Sequence, residues 1–387
     1  MPDKSDGPRK TKTTAAIERP AINPQRLTRL FKKMVDIYSP SGKEEDVISF
    51  LHGLFKRNGV PVVRQPVDED RDNLVFEPDM ADPELVFVGH VDTVLAYDLD
   101  NYSYRQEGDT VYGLGTADMK GGCAAMVEAF LTLWENGYTD LPVALALVVG
   151  EEETGDGARR LARECDYSAA IIGEPTGLKP CLSHYGYLEV QLWTEGRRMH
   201  ASLASPGASA VNSMLNMLLH LTDHLHEHRP ELIYNIRDLA SARSGFAVPD
   251  HCEAWVDLHL PPLTSLGLLT VELEELVQNR RKSKHGFNGD IDFSTIHSGY
   301  ELPEKGALVE MLKEVYKRAE MPFEPEAFRS HSDANELWQA GIKPIILGPG
   351  DLAAAHTQDE FSSLSQIHQA AQMYVDIAMS YVSRTAR

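Results

Sequence analysis

The sequence of 387 residues has only four cysteines, and no two of them form a Cys-x-x-Cys pair. Such sparse, unpatterned thiols are expected to stay reduced, which favours a cytoplasmic protein. Long apolar runs are also missing, since none approaches the roughly 20 residues that a membrane-spanning helix needs. The polar first residues lack the apolar core of a signal peptide. We therefore predict a cytoplasmic protein with no membrane partner.

Positive charge is scarce as well, because 37 basic residues face 58 acidic ones and the formal net charge is −21. This balance argues against nucleic acid and anionic membranes as partners. Several catalytic motifs are absent: Gly-x-Ser-x-Gly, a Gly-Lys-Ser/Thr phosphate loop, and His-Glu-x-x-His around His224 and His228. Gly113-x-Gly115 could suggest a dinucleotide site, but Asp118 occupies the third position and would repel a pyrophosphate. A nicotinamide-dependent oxidoreductase is therefore disfavoured.

The length of the chain predicts two domains, because 387 residues exceed what one hydrophobic core usually holds. The order of the apolar segments indicates where these domains lie. Continuous apolar runs alternate with helix-spaced segments in residues 25–183 and 296–387, as in α/β proteins with buried parallel strands. Residues 184–295 instead show period-two strands and amphipathic helices. We predict an α/β domain with a mostly parallel sheet flanked by helices, a smaller α+β domain inserted at 184–295, and a disordered tail over residues 1–24.

Imidazole and carboxylate side chains follow the predicted buried strands at five places. They are His90 with Asp92, Asp118, the run Glu151 to Glu153, Glu174 and His356. Open α/β sheets place active sites at the carboxyl ends of strands, and these side chains are ligands for zinc and neighbouring metals. Each alone has an ordinary explanation, such as a helix N-cap for Asp118 or a solvated acidic loop for the glutamates. Together they favour a metal site, where a cation would relieve repulsion between carboxylates.

The segments around these residues read GHVDTV, YGLGTADMKGG, EEETG, GEPTG, GRRMHAS and LGPGDLAAAHTQDE. In this order and spacing they resemble the M20 metallopeptidase family, which includes acetylornithine deacetylase, succinyl-diaminopimelate desuccinylase, aminoacylase and carboxypeptidase relatives. The resemblance extends from about Gln25 to the C-terminus, and GLGTADMKG is most similar to acetylornithine deacetylases. It implies a catalytic domain with an inserted lid, which in relatives is often a dimerisation surface.

The resemblance also implies two divalent metal ions, zinc first, with cobalt or manganese as alternatives. Asp118 would bridge the two ions. His90 and Glu174 would complete one site, and Glu153 and His356 would complete the other. These ligands come from segments that are far apart in the chain, so the prediction depends on the fold bringing them together.

Further roles follow from the same resemblance. Glu152 would be the general base. The spacing of His90 and Asp92 suggests, apart from the resemblance, that Asp92 steadies the His90 ring from outside the metal coordination. Because three glutamates are consecutive, Glu151 as base with Glu152 as ligand stays open as the alternative register. His200 matches a lid histidine that reaches the neighbouring active site in dimers, and the Asp118–Met119 peptide bond would be cis.

One departure from the family pattern concerns substrate recognition. Many relatives carry Asp-x-Arg on a lid strand, with the arginine linked to substrate binding, whereas this sequence reads Asp257-Leu258-His259. A histidine at neutral pH cannot offer the bidentate fork of arginine. We expect Arg329 or another basic group to recognise a substrate carboxylate, or the substrate to differ.

The combined prediction is a dinuclear-metal amidohydrolase that cleaves a small N-acyl amino acid, with the acetylornithine deacetylase type favoured and a homodimer formed through the lid. Two hydrolase alternatives stay open: a dipeptidase or carboxypeptidase, and the succinyl-diaminopimelate desuccinylase type. From a different class, a non-catalytic relative that binds amino acids or metals also stays open.

Overall fold

The computed structural model describes residues 19–77, 83–205, 207–241, 245–282 and 288–385. The α-helices are α1 (Pro24–Asp36), α2 (Glu45–Arg57), α3 (Lys120–Glu135), α4 (Asp156–Glu164), α5 (Ala210–His228), α6 (Leu266–Lys282), α7 (Ala307–Arg318), α8 (Asp333–Gln339) and α9 (Leu364–Thr385). The strands are β1 (Val63–Pro66), β2 (Asp72–Phe76), β3 (Leu85–His90), β4 (Arg105–Glu107), β5 (Thr110–Tyr112), β6 (Val143–Val148), β7 (Ala169–Ile172), β8 (Cys181–His184), β9 (Gly186–Glu195), β10 (Ile233–Ser241), β11 (His251–Leu260), β12 (Asn288–His297), β13 (Tyr300–Glu301), β14 (Glu326–Phe328), β15 (Lys343–Ile346) and β16 (Phe361–Ser363).

The main sheet has a parallel centre. Its strands lie in the order β1-β2-β6-β3-β7-β15-β8-β13, and β14 pairs with β8. Strand β3 is parallel to β6 and β7, and β7 is parallel to β15, while antiparallel pairs extend the sheet at both sides. Helix α3 packs against α1 and α9, and α4 packs against α8. The predicted α/β fold, with a mainly parallel sheet flanked by helices, is confirmed.

The continuous apolar runs of the sequence form the central strands. Every residue of β3, β6 and β7 is buried, as expected for parallel strands covered on both faces. Helix α3 is buried over nearly its whole length and contacts β3. Because burying an apolar side chain stabilises by about 1.5–3 kcal/mol, this dense packing holds the ends of the central strands in place.

A second sheet lies within the segment predicted as the insertion, and we refer to the described residues of 186–297 as the lid, after the predicted domain. Its four strands are antiparallel in the order β10-β11-β9-β12, and α5 and α6 contact them. The lid has its own buried apolar cluster, distinct from that of the main sheet. Strand β9 alternates between buried and half-buried residues, as its period-two sequence predicts. Sequence analysis did not predict strand β10, because all nine of its residues are exposed and no buried face produces an apolar pattern.

The chain before α1 is only partly described. Arg19 and Ile22 lie in the stretch predicted to be a disordered tail, yet Arg19 Nη1 donates to the Asp376 carbonyl and Ile22 N–H donates to Gln372, both on α9. The rest of the predicted tail, residues 1–18, lies outside the described residues. Among the helices in the described ranges, none combines the length and apolarity needed to cross a bilayer.

Candidate metal centre

The side chains predicted from strand ends meet at one edge of the main sheet. His90 is the last residue of β3, Glu151 lies three residues beyond β6, and Glu174 lies two residues beyond β7. Since these strands are parallel neighbours, their carboxyl ends emerge side by side. Asp118 reaches the same edge from the loop before α3, and His356 reaches it from the segment after β15.

Two groups of ligand-type atoms share Asp118. In the first group, His90 Nε2 lies 3.1 Å from Asp118 Oδ1 and 3.6 Å from Glu174 Oε1. In the second group, His356 Nε2 lies 3.5 Å from Asp118 Oδ2 and 2.9 Å from Glu152 Oε2. The ligand atoms of each group all lie within 4.8 Å of one another. The Asp118–Met119 peptide bond is cis, as the resemblance implies.

The crowded carboxylates perturb the protonation of the site. Burial, followed by the charge of Asp118, raises the pKa of Glu174 well above its ordinary value. Burial also raises the pKa of Glu152 to about 8, although the hydrogen bond with His356 opposes this shift. The same hydrogen bond raises the pKa of His356 to about 9. The site thus concentrates negative charge that is costly unless a cation compensates it.

This donor set fits two divalent cations. Each group offers one imidazole and two carboxylates, which zinc and other first-row ions accept. Asp118 presents one oxygen to each group, as a bridging carboxylate does. Glu152 Oε1 is buried and has no hydrogen-bond partner among the described residues, which leaves it available as a ligand.

Asp92 ties the end of β3 to the glutamate loop after β6. Its carboxylate accepts hydrogen bonds from Ser41 Oγ at 2.7 Å and from the backbone N–H groups of Glu151 and Glu152 at 3.2 and 3.1 Å. Its Oδ1 lies 3.6 Å from His90 Nδ1, on the ring side opposite the ligand groups. Asp92 itself belongs to neither group, so its position is that of a supporting carboxylate.

The three consecutive glutamates have different surroundings. Glu152 belongs to the second ligand group. Glu151 is buried, with Oε2 3.8 Å from His90 Nε2 and Oε1 3.5 Å from His331 Nδ1, and it shares a third group of ligand-type atoms with His90 and Glu152. Glu153 is exposed and belongs to none of the ligand groups found among the described residues. The structure therefore does not bring Glu153 beside Asp118 and His356, where it was predicted, and Glu152 lies there instead.

Sequence analysis missed Glu360, which shapes the loop that carries Asp118. The Glu360 carboxylate accepts backbone N–H bonds from Gly115, Ala117 and Asp118 at 2.8, 2.8 and 3.0 Å. Burial raises the pKa of Glu360 to about 7. Glu360 lies four residues after His356, inside a segment already singled out, so its acidic side chain at that spacing was the available signal.

A cleft of about 780 Å³ lies above the ligand groups and is bounded on one side by the lid. The lid side chains that line it are Tyr187, Glu189, Arg237, Asp257, His259, Ser294, Ile296 and His297. Concave sites of this size with a few convergent polar groups suit small polar ligands. Sequence analysis did not select Arg237, because the strand that carries it was not predicted, nor Glu189, which is one of several polar residues on the alternating strand β9.

Two residues expected near the substrate lie elsewhere in this chain. His200 is exposed, its Nδ1 contacts Ser202 Oγ at 2.7 Å, and it does not line the cleft. Arg329 is exposed and is also absent from the lining. His259 does line the cleft, but burial lowers its pKa, so it is neutral at physiological pH. Neither Arg329 nor His259 therefore supplies a positive charge to the cleft.

Comparison with known sequences agrees with this geometry. The sequence model described as Peptidase family M20/M25/M40 matches residues 86–380. Acetylornithine deacetylase from Photorhabdus laumondii subsp. laumondii is 30% identical over 348 residues, which cover 84% of this chain and 87% of that protein. A probable succinyl-diaminopimelate desuccinylase from Staphylococcus aureus is 32% identical over 196 residues, which cover 48% of each chain.

Solved structures share the fold. A tripeptidase from Staphylococcus aureus matches with a TM-score of 0.78 at 19% identity, covering 94% of this chain and 99% of that one. An M20 family metallo-carboxypeptidase from Sulfolobus solfataricus matches with a TM-score of 0.72 at 15% identity, covering 92% and 99%. At these sequence identities the structural similarity shows the fold alone. The family match spans most of the chain, and the protein therefore belongs to Peptidase family M20/M25/M40, whose members are hydrolases of amide bonds.

Proposed function

We propose that this chain is a metal-dependent amidohydrolase that releases a free amino acid from an N-acyl amino acid, with the acetylornithine deacetylase type favoured. The observation that carries the proposal is Asp118, whose two oxygens face two separate ligand groups below a cleft of small-molecule size. Two ligand groups joined by one carboxylate favour hydrolysis over simple storage of a metal ion.

The metal ligands follow from the two groups. Zinc, before cobalt or manganese, would be held at one site by His90, Asp118 and Glu174 and at the other by Asp118, Glu152 and His356. Such cations supply Lewis-acid polarisation of a carbonyl group and lower the pKa of water. This ligand set departs from the predicted one at a single position, because Glu152 replaces Glu153. The buried, unpartnered Oε1 of Glu152 supports the replacement.

Glu151 is the general base in this proposal. Its carboxylate lies outside the two groups that share Asp118, yet its Oε2 is 3.8 Å from His90 Nε2, at the rim of the reacting centre. Glu151 accepts a proton from the attacking water and passes it to the nitrogen of the leaving amine. Asp92 and His331 orient Glu151. The Asp92 carboxylate accepts the backbone N–H of Glu151, and His331 Nδ1 lies 3.5 Å from Glu151 Oε1.

The choice of substrate type is supported by the relatives. The protein named acetylornithine deacetylase matches most of this chain, whereas the probable succinyl-diaminopimelate desuccinylase matches about half of it. The first substrate type is therefore favoured and the second is the alternative. The four cysteines are all unpaired, which supports the reducing environment of the cytoplasm.

A homodimer formed through the lid completes the proposal. Strand β10 lies at an edge of the lid sheet, and four of its large apolar residues, Ile233, Tyr234, Ile236 and Leu239, are 39–48% exposed. An exposed apolar edge strand is a ready surface for pairing with another chain. In such a dimer His200, which has no role within its own chain's cleft, would donate a hydrogen bond to the oxyanion in the partner's site.

The test is amine release by the purified protein loaded with zinc, cobalt or manganese. We expect Nα-acetylornithine to be cleaved faster than N-succinyl-diaminopimelate or a panel of dipeptides. Exhaustive chelation should abolish turnover and added metal should restore it. Undiminished turnover after chelation would contradict the proposal. Faster cleavage of the succinyl substrate or of dipeptides would select those alternatives, and metal binding without any turnover would favour a non-catalytic relative.

A further inference from the structure

The lid wall of the cleft contains an arginine that two carboxylates already neutralise. Arg237 Nη2 lies 2.6 Å from Glu189 Oε2, and Arg237 Nη1 lies 3.0 Å from Asp257 Oδ1. The remaining nitrogen, Nε, lies 3.4 Å from Asp238 Oδ2. Every nitrogen of this guanidinium group therefore faces a protein carboxylate. A substrate carboxylate placed here would meet Glu189 and Asp257 rather than a free donor edge.

The second guanidinium group that lines the cleft is paired in the same way. Arg159 Nη2 and Nε contact the two oxygens of Glu336 at 2.6 and 3.1 Å, and Nη2 also donates to the Thr154 carbonyl. The residues lining the cleft include no lysine and no arginine besides Arg159 and Arg237. Within the described part of the chain, the cleft thus has no unpaired guanidinium or ammonium group for an acidic substrate side chain.

The two lid histidines that line the cleft, His259 and His297, add no positive charge to it. Burial lowers the pKa of His259, and burial together with the nearby His331 lowers the pKa of His297 to about 4. Both imidazoles are therefore neutral near pH 7. The lid wall then carries two carboxylates, Glu189 and Asp257, against the single charge of Arg237, a local net charge of −1.

Both carboxylates keep capacity for another donor. Glu189 accepts from Arg237 and from Ser294 Oγ. Asp257 accepts from Arg237, from Tyr187 OH at 2.8 Å and from Asn235 Nδ2 at 3.5 Å. A carboxylate offers about four acceptor positions. The side chains of Glu189 and Asp257 are only 16% and 10% exposed, so a charge placed beside them is weakly screened by solvent.

We propose that Glu189 and Asp257 determine specificity by selecting an N-acyl amino acid whose side chain ends in a cation such as a primary ammonium group. The inference rests on the proposed function and deepens it by naming the selecting residues. It also accounts for the absence of an arginine at His259, because a second positive group on this wall would cancel the negative charge.

The experiment compares kcat/KM of the metal-loaded full chain for three substrates that differ only at the end of the side chain. Nα-acetyl-L-ornithine carries an ammonium group, Nα-acetyl-L-norvaline carries a methyl group, and Nα-acetyl-L-glutamate carries a carboxylate. A charge-assisted hydrogen bond is worth about 10- to 100-fold, so we expect ornithine over norvaline by that factor and glutamate last. This comparison needs no variant.

Variants then assign the selectivity. Glu189→Gln and, separately, Asp257→Asn should each reduce the ornithine-to-norvaline ratio of kcat/KM by about tenfold. In the double variant neither carboxylate neutralises Arg237, so this variant should favour Nα-acetylglutamate over Nα-acetylornithine. The matched control is Glu195→Gln, on the same face of β9 but exposed and in contact with Asn288. It should keep the wild-type ratio.

The outcomes separate the two proposals. Hydrolysis of all three substrates with equal kcat/KM would overturn this inference and leave the amidohydrolase function standing. An unchanged ornithine preference in both single variants and in the double variant would also overturn it. No hydrolysis of any of the three would overturn the proposed function and, with it, the selectivity that depends on it.

Discussion

The assignment of the three consecutive glutamates gives the sharpest test of the site. Glu152 Oε2 lies 2.9 Å from His356 Nε2, and its other oxygen is buried without a partner, whereas Glu151 lies beside His90 and outside the two groups that share Asp118. Glutamine preserves the shape of each side chain but removes its charge. The two substitutions should therefore fail in different ways, one in proton transfer and the other in metal binding.

For Glu151→Gln we expect two metal ions per chain and a loss of at least about 100-fold in kcat, the low end for removal of acid–base catalysis. That loss corresponds to about 2.7 kcal/mol of activation barrier, at about 1.36 kcal/mol for each factor of ten. For Glu152→Gln we expect loss of about one metal ion per chain, because a neutral amide replaces an anionic ligand.

The assay combines metal content after gel filtration with amine release from Nα-acetylornithine. Glu153→Gln is the matched control, since Glu153 is exposed and outside the ligand groups, and it should keep both metal ions and most of the activity. If Glu153→Gln loses metal while Glu152→Gln retains both ions but not turnover, the register from the family resemblance is correct and the reasoning from distances is refuted.

Three further predictions concern the supporting structure. Glu360→Gln should weaken zinc binding about 10- to 100-fold in calorimetric titration, because an amide cannot accept N–H groups at both ends. The control variant Asp359→Asn, at an exposed neighbouring residue, should bind zinc normally. Equal zinc affinities in the two variants would contradict this role of Glu360. Burial lowers the pKa of His184 from 6.5 to about 3, so unfolding takes up a proton between these pH values. The stability cost of His184→Gln in urea unfolding should thus shrink by about 1.4 kcal/mol for each pH unit below 6.5, and a constant cost would reject the shift. Leu239→Lys on β10 should yield monomers in sedimentation, whereas Leu268→Lys on the exposed face of α6 should not; a dimer in both would place the interface elsewhere.

Much of the fold could be predicted because its signals are local. The runs that form β3, β6 and β7 are apolar throughout, and every residue in them is buried. Strand β10 shows the opposite case. Its sequence, IYNIRDLAS, has no buried face, so it depends on hydrogen bonding to β11 rather than on a pattern that the sequence displays.

The sequence predicted most members of the candidate metal centre but not which of the consecutive glutamates belongs to it. His90, Asp118, Glu174 and His356 could be selected because each follows or lies near an apolar strand or a glycine turn, and the fold brings them together. Three identical glutamates in a row carry no information about which one faces the metal groups. The backbone decides which glutamate faces these groups. Gly150, two residues after β6, has a φ of +78°, and this left-handed conformation turns the chain before the glutamates.

The sequence by itself determined that imidazoles and carboxylates follow buried strands, because hydrophobic runs and the polar residues after them are neighbours along the chain. Only the tertiary structure decided that Glu152 rather than Glu153 meets His356, and that Arg237 is neutralised by Glu189 and Asp257. The physical reason is that electrostatic interactions depend on distances of a few ångströms between side chains. Sheet order and strand register set those distances, and residues far apart in the chain do not reveal them.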